Sequence, residues 1–121
     1  MKKSEKEYML NLFLEQDEND DIVNLATEGF GITIYYTESN ANTYKSIFDF
    51  ESKLIFINRL NTNQDEAEFL VGYHIAEYIL CDNKKSSIIH LDNMDMEVYQ
   101  LAQKIYWKSK NIKKKQLKKG K

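Results

Sequence analysis

An α+β fold is the expectation from three features of this 121-residue chain. Runs of β-branched and aromatic residues at Ile32–Thr37, Tyr44–Phe50 and Lys53–Asn58 have the composition that suits a pleated, half-buried surface. Apolar stripes at helical spacing stand before and after these runs. Capping-box spacings, Ser4-Glu5-Lys6-Glu7 and Asn63-Gln64-Asp65-Glu66, mark two helix starts at which side chain and backbone satisfy each other's free groups. The expected order is ααβββαα, a small antiparallel sheet of about three strands packed against helices.

The first helix is expected from Glu5 to about Asp17, with Tyr8, Met9, Leu12 and Phe13 as its apolar stripe. Asp20 or Asp21 can cap a short second helix carrying Ile22, Leu25 and Ala26, which Gly29 would end in the left-handed conformation. Ser39 to Thr43 reads as a polar loop, and the short Glu51-Ser52 link makes a hairpin of the second and third strands. The apolar run from Ala67 to Leu80 lies in the most hydrophobic helix, expected from about Gln64 to Cys81 in the centre of the core. Asp92 can cap a last helix bearing Met94, Val98, Leu101 and Ile105, which runs into a lysine tail. One domain over 1–110 and a basic, flexible tail over 111–121 are the expected organisation.

Charge is segregated along the chain. The net charge is only −2, yet residues 1–103 carry −11 and the last 18 carry +9. Glu15, Asp17, Glu18, Asp20 and Asp21 form the densest acidic run, and Lys113, Lys114, Lys115, Lys118 and Lys119 belong to the densest basic one. Both are candidate partner-binding surfaces, the first toward a basic protein and the second toward nucleic acid or an acidic protein. An acidic body argues against a dedicated DNA-binding fold, because phosphate contacts dominate such affinity. A single cysteine, Cys81, excludes an intramolecular disulfide and fits a reducing, cytoplasmic setting. The apolar segments fall short of the roughly 20 residues of a spanning helix, so no membrane role is expected. Either a monomer or a homodimer through the apolar first helix fits the sequence.

Chemistry-bearing residues gather on the central helix. His74, Glu77 and Cys81 stand at i, i+3 and i+7 and share a face, and Tyr73 lies one turn before Glu77. Each is a type that can bind a transition metal. The simpler reading is a core histidine hydrogen-bonded to a neighbouring carboxylate, with Cys81 buried as a small apolar residue. His74 and Cys81 lie about 10 Å apart along a helix, too far for a thiolate–imidazole pair. Gly29-x-Gly31 lacks the downstream glycine and helix start of a nucleotide loop. His90, among Ser86, Ser87 and Asp92, reads as a surface histidine of a connecting loop.

Several segments, in order, resemble the ImmA/IrrE family of small zinc metallopeptidases, cytoplasmic proteins with which phages, integrating elements and bacteria inactivate repressors. Leu54-Ile55-Phe56-Ile57-Asn58 is similar to the family strand that ends in Ile-Asn, and Asn63 to Leu70 to its lead-in. Tyr78-Ile79-Leu80 is similar to the residues directly after the family's His-Glu-x-x-His, and Met96-Glu97-Val98-Tyr99-Gln100-Leu101-Ala102 to the helix supplying its third ligand. The resemblance covers about residues 20 to 107 and implies that the core helix is zincin-like.

In that register the ligand and base positions fall on Tyr73, His74 and Glu77, and only Glu97 keeps the family's residue type. His-Glu-x-x-His works because paired imidazoles grip zinc while the glutamate takes a proton from bound water. Tyr-His-x-x-Glu supplies neither the imidazole pair nor the base, so no catalytic residue and no cofactor is expected. A permuted zinc set would be His74, Glu77 and Glu97, with His90 as a helper. The leading expectation is therefore a non-catalytic relative, a phage or mobile-element regulator or inhibitor that binds a repressor, a host regulator or a host defence nuclease. The alternatives are a metallopeptidase with an altered metal site that cleaves a repressor, and a nucleic-acid-associated protein acting through its lysine tail.

Overall fold

The computed structural model describes residues 2–15, 21–38, 40, 44–81, 84–90 and 93–119, with 111–119 described by their backbone alone. The fold is α+β: helices α1 (Lys3–Glu15), α2 (Ile22–Asn24), α3 (Gln64–Leu80) and α4 (Met96–Lys119) pack with strands β1 (Thr33–Thr37), β2 (Ser46–Asp49), β3 (Leu54–Asn58) and β4 (Ser86–Ile89). The sheet differs from expectation in having four strands in the order β1-β3-β2-β4. It is mixed, since β3 runs parallel to β1 and antiparallel to β2, while β4 pairs antiparallel with β2. β3 is the most apolar strand, with Ile55 and Ile57 fully buried, and such a strand takes a central position where both neighbours shield it. Entering between β1 and β2, it makes the first pairing parallel. β4 is the strand that the sequence pattern does not announce, because Ser-Ser-Ile-Ile is only four residues long and opens with two serines in place of a β-branched or aromatic run.

Alternation along β2, β3 and β4 puts Ser46, Phe48, Ile55, Ile57, Ser87 and Ile89 on the buried face. On that face lies α3, flanked by α1, α2 and α4. Its start is the expected capping box: Asn63 Oδ1 accepts from the Glu66 N–H at 2.8 Å, and Glu66 Oε1 from the Asn63 N–H at 3.4 Å. From Ala67 to Ile79 only Phe69 escapes full burial, so α3 is a helix apolar on nearly all sides, enclosed by its neighbours. Gly72 lets α2 and α4 approach it closely, for a Cβ there would stand 2.8 Å from Ile22 Cδ1. Lys110 ties α4 back to α3 through Asp65 at 2.9 Å and Glu68 at 3.0 Å.

Three local expectations are corrected. α1 begins at Lys3, so Ser4 lies inside the helix, and the opening turn is closed by the Lys2 carbonyl instead. After α2 the chain widens into a π-helical turn over Leu25–Gly29, closed by the Phe30 N–H; the left-handed glycine is Gly31, at φ 69°, and not Gly29. Asp92 lies outside the described residues; the helix cap is Asp95, whose Oδ1 accepts from the Val98 N–H at 3.1 Å. Asp17, Glu18, Asp20 and most of the Ser39–Thr43 loop also lie outside them. Along the lysine-rich segment the backbone of α4 continues as helix to Lys119.

Replacing Gly72 by valine drives methyls into the fully buried Ile22 and is expected to destabilise the fold by about 1–3 kcal/mol. Urea denaturation monitored by far-UV circular dichroism measures it.

Candidate functional site

The motif positions on α3 face inward, onto the sheet. His74 is 0% exposed and uses both ring nitrogens: Nδ1 lies 2.6 Å from Glu77 Oε1, and Nε2 lies 2.7 Å from Ser46 Oγ on β2. An ionised carboxylate only accepts, so Nδ1 is the donor toward Glu77; in the neutral ring Nε2 then accepts from the Ser46 hydroxyl. This is the core histidine bonded to a carboxylate one turn on that the sequence pattern suggests. Glu77 continues the chain to β4, with Oε2 3.3 Å from Lys84 Nζ and a further hydrogen bond from Ser87. The result is a polar line from β2 through α3 to β4 inside the core.

Opposing effects act on Glu77. Burial pushes its carboxyl up, but the hydrogen bond and charge of His74, the Ser87 hydroxyl and Lys84 together outweigh burial and hold it below the ordinary value of 4.5. Glu77 is thus kept ionised by partners built into the fold. Lys84 is driven the opposite way, above its ordinary value, because Glu77's charge and hydrogen bond exceed the effect of its own burial.

The remaining motif positions do not join this line. Tyr73 is 1% exposed, and its hydroxyl accepts the Asp95 N–H at 2.7 Å, which fixes the entry to α4. Burial raises the Tyr73 phenol above its usual value. Glu97 is exposed on the first turn of α4. His90 is exposed just past β4, its backbone N–H bonded to Asn93. Among the described residues no three His, Cys, Asp or Glu side chains come together as a set able to hold a metal ion. The described residues around α3 do not fit a zinc site: the only imidazole on α3 has no free nitrogen, and the permuted set His74, Glu77 and Glu97 is not brought together.

The order Ser46–His74–Glu77 has the hydrogen-bond sequence of a nucleophilic triad. Ser46 is 0% exposed, however, so no substrate carbonyl can reach its Oγ, and the geometry supports structure in place of acyl transfer. Cys81 is half-buried at the end of α3, and burial raises its thiol, which leaves a poor nucleophile. Sequence reasoning alone misses Ser46, Lys84 and Ser87. One signal is available in it: Ser46 alternates with Phe48 on the buried parity of β2, and a polar residue there needs a partner.

Of the candidate partner-binding residues, Glu15 is exposed at the end of α1. Asp21 is half-buried and committed to capping α2, accepting the Asn24 N–H at 2.8 Å. The side chains of Lys113, Lys114, Lys115, Lys118 and Lys119 lie outside the described residues. Elsewhere a cavity of about 270 Å³ opens between α3 and α4, lined mainly by Phe69, Leu70, Met94 and Tyr106, with Lys45 and Glu66 also on its wall. Lys45 and Glu66 pair at 2.7 Å. No described helix is long and apolar enough to cross a membrane.

No family model matches the chain, and neither a curated protein nor a solved structure matches it.

The buried line makes two outcomes testable. Replacing His74 by alanine strands Glu77 and Ser46 in the core and is expected to cost about 3–5 kcal/mol, a large part of a small domain's stability. Chemical denaturation reads it. Because Glu77 titrates lower in the fold than its ordinary 4.5, its stabilisation is complete above that pH and is lost as pH falls through the depressed folded value. Urea midpoints of the wild type should therefore drop more steeply below pH 4.5 than those of Glu77→Gln, and parallel pH profiles would remove the argument.

Proposed function

We propose that this chain is a non-catalytic protein on an ImmA/IrrE-like scaffold, a phage or mobile-element regulator or inhibitor that acts by binding a protein. The partner classes it suits are a repressor, a host regulator or a host defence nuclease. One observation carries the reading: His74, at the heart of the motif, spends both nitrogens on Ser46 and Glu77 and has no exposed surface. A helix face closed in this way has neither the open coordination position of a catalytic zinc site nor a route for a peptide. What remains for function is the outside of the molecule, whose first 103 residues carry a net −11 and suit a basic partner surface.

The test is zinc content by plasma mass spectrometry after incubation with zinc and gel filtration. The expected result is no retained metal and an identical result for Glu97→Ala. About one zinc per chain, lost in Glu97→Ala or His74→Ala, would replace this reading with the metallopeptidase of altered metal site.

A second reading is favoured by the length of α4. Its backbone continues as helix through Lys119, ten residues past the buried Ser109, and helical phase puts residues 104, 107, 111, 114 and 118 on one stripe. A lysine-rich helix of this kind suits contact with nucleic-acid phosphates. Under this reading, deletion of Asn111 to Lys121 abolishes a salt-sensitive gel shift with duplex DNA; under the leading reading the full chain gives no such shift.

A further inference from the structure

β1 stands at one edge of the sheet and its sequence, Thr33-Ile34-Tyr35-Tyr36-Thr37, has no charge and no proline. Natural sheet edges are ordinarily blunted by one or the other, because a bare edge is a template for another strand. The opposite edge shows the contrast: β4 is four residues long and comes directly after Lys84 and Lys85. Tyr35 is 49% exposed on this strand, and Tyr36 is 43% exposed with the Arg59 guanidinium carbon 4.2 Å from its ring centre.

The hydrogen-bond phase of β1 is set at both ends. Thr33 N–H donates to the Lys53 carbonyl at 2.9 Å and Arg59 N–H to the Thr37 carbonyl at 2.8 Å. With the parallel register Tyr35↔Phe56, this turns the backbone groups of Thr33, Tyr35 and Thr37 toward β3 and those of Ile34 and Tyr36 toward the open side.

We propose that β1 is the interface of a symmetric homodimer in which two copies pair antiparallel with Tyr35 on the two-fold axis. In that register Thr33 faces Thr37 of the second copy, a favourable cross-strand pair, and Tyr35 faces its own symmetry mate. Ile34 and Tyr36 face each other and exchange both N–H···O bonds, using the backbone groups that β3 leaves free. A shift by one residue forfeits the hydrogen-bond match, and a shift by two keeps it but gives up the Thr33–Thr37 and Tyr35–Tyr35 pairs. At both ends of the seam the exposed Glu38 of one copy falls opposite Ile32 of the other, one strand away from Lys53, whose Nζ is already bonded to the Phe30 carbonyl at 3.1 Å. The pairing also extends a row already present on the open face of the sheet. Tyr35 stacks on Phe56 at 5.7 Å between ring centres, Phe56 registers with Ile47, and Ile47 with Ile88. The dimer continues this row through the axis into the second copy, an isologous contact.

Sedimentation velocity over rising protein concentration should show a reversible monomer–dimer equilibrium. Tyr35→Lys sets two like charges face to face on the axis and is expected to weaken it about tenfold or more, whereas Ile88→Lys at the far edge leaves it unchanged. Geometry supplies a second readout. Across a non-hydrogen-bonded antiparallel pair the Cα atoms are about 4.5 Å apart, within disulfide reach. In a Cys81→Ser background, Tyr35→Cys should therefore oxidise readily to a covalent dimer while Thr33→Cys, whose symmetry mate lies far along the strand, does not. A monomer at every concentration, a dimer undisturbed by Tyr35→Lys but dissolved by Leu12→Lys on α1, or equal crosslinking at the two cysteine positions would each overturn the proposal.

Discussion

The contact on which the rest of the structure depends is the hydrogen bond between His74 and Glu77, with its extensions to Ser46 and to Ser87 and Lys84. An ionised carboxylate in a protein interior is strongly unfavourable unless its charge is met, and here a ring nitrogen, a hydroxyl and an ammonium meet it. The arrangement also constrains geometry. A slip of β2 by one residue would bring Lys45 or Ile47 to the imidazole in place of Ser46. β4 is held by its ladder to β2, which Lys45 N–H to the Ile89 carbonyl and Phe50 N–H to the Lys85 carbonyl extend at the two ends. The polar line therefore fixes the order of layers as well as the position of one helix, and Phe48, 5.5 Å from the His74 ring centre, closes it from solvent.

Burying α3 so completely has consequences at its surface contacts. Gly72 gives the room that α2 and α4 need, while Lys6 reaches from α1 to bond the Tyr78 carbonyl at 2.8 Å and lies 4.1 Å from the Tyr78 ring centre. Tyr73 reaches the other way, holding the Asp95 N–H at the start of α4. The buried polar groups of this helix are thus spent on holding neighbouring elements. The surfaces that packing leaves open lie at the periphery, among them the β1 edge and the exposed side of α4.

The legible parts of the fold were those set by local chemistry. The Asn63–Glu66 capping box, the β-branched run of β3 and the pairing of His74 with Glu77 are all relations between residues within about one or two turns or strand steps; the stripe expected on α1 is instead rotated, since Phe13 is buried but Tyr8 and Leu12 are exposed, and Lys6 and Leu10 are buried in their place. The same kind of reasoning misplaces the start of α1, because Ser4 and Glu7 have the spacing of a cap without the chain geometry of one. It misses β4, since four residues beginning with two serines become a strand only when β2 offers a ladder and Glu77 a partner. It assigns the start of the last helix to Asp92, whereas Asp95 is the acid whose backbone Tyr73 holds in place from 22 residues away.

By itself the sequence determined the α+β class, the central position of α3, the presence of a single imidazole on that helix and the separation of an acidic body from a basic end. These rest on composition and on spacings of three or four residues, which short-range backbone geometry converts into faces and caps. Only the tertiary structure decided that β3 enters between β1 and β2, that Ser46 completes the partners of His74, and that Glu97 stays out in solvent. Those outcomes depend on which distant surfaces best exclude water together while leaving few buried polar groups without a partner, a condition that no local spacing contains.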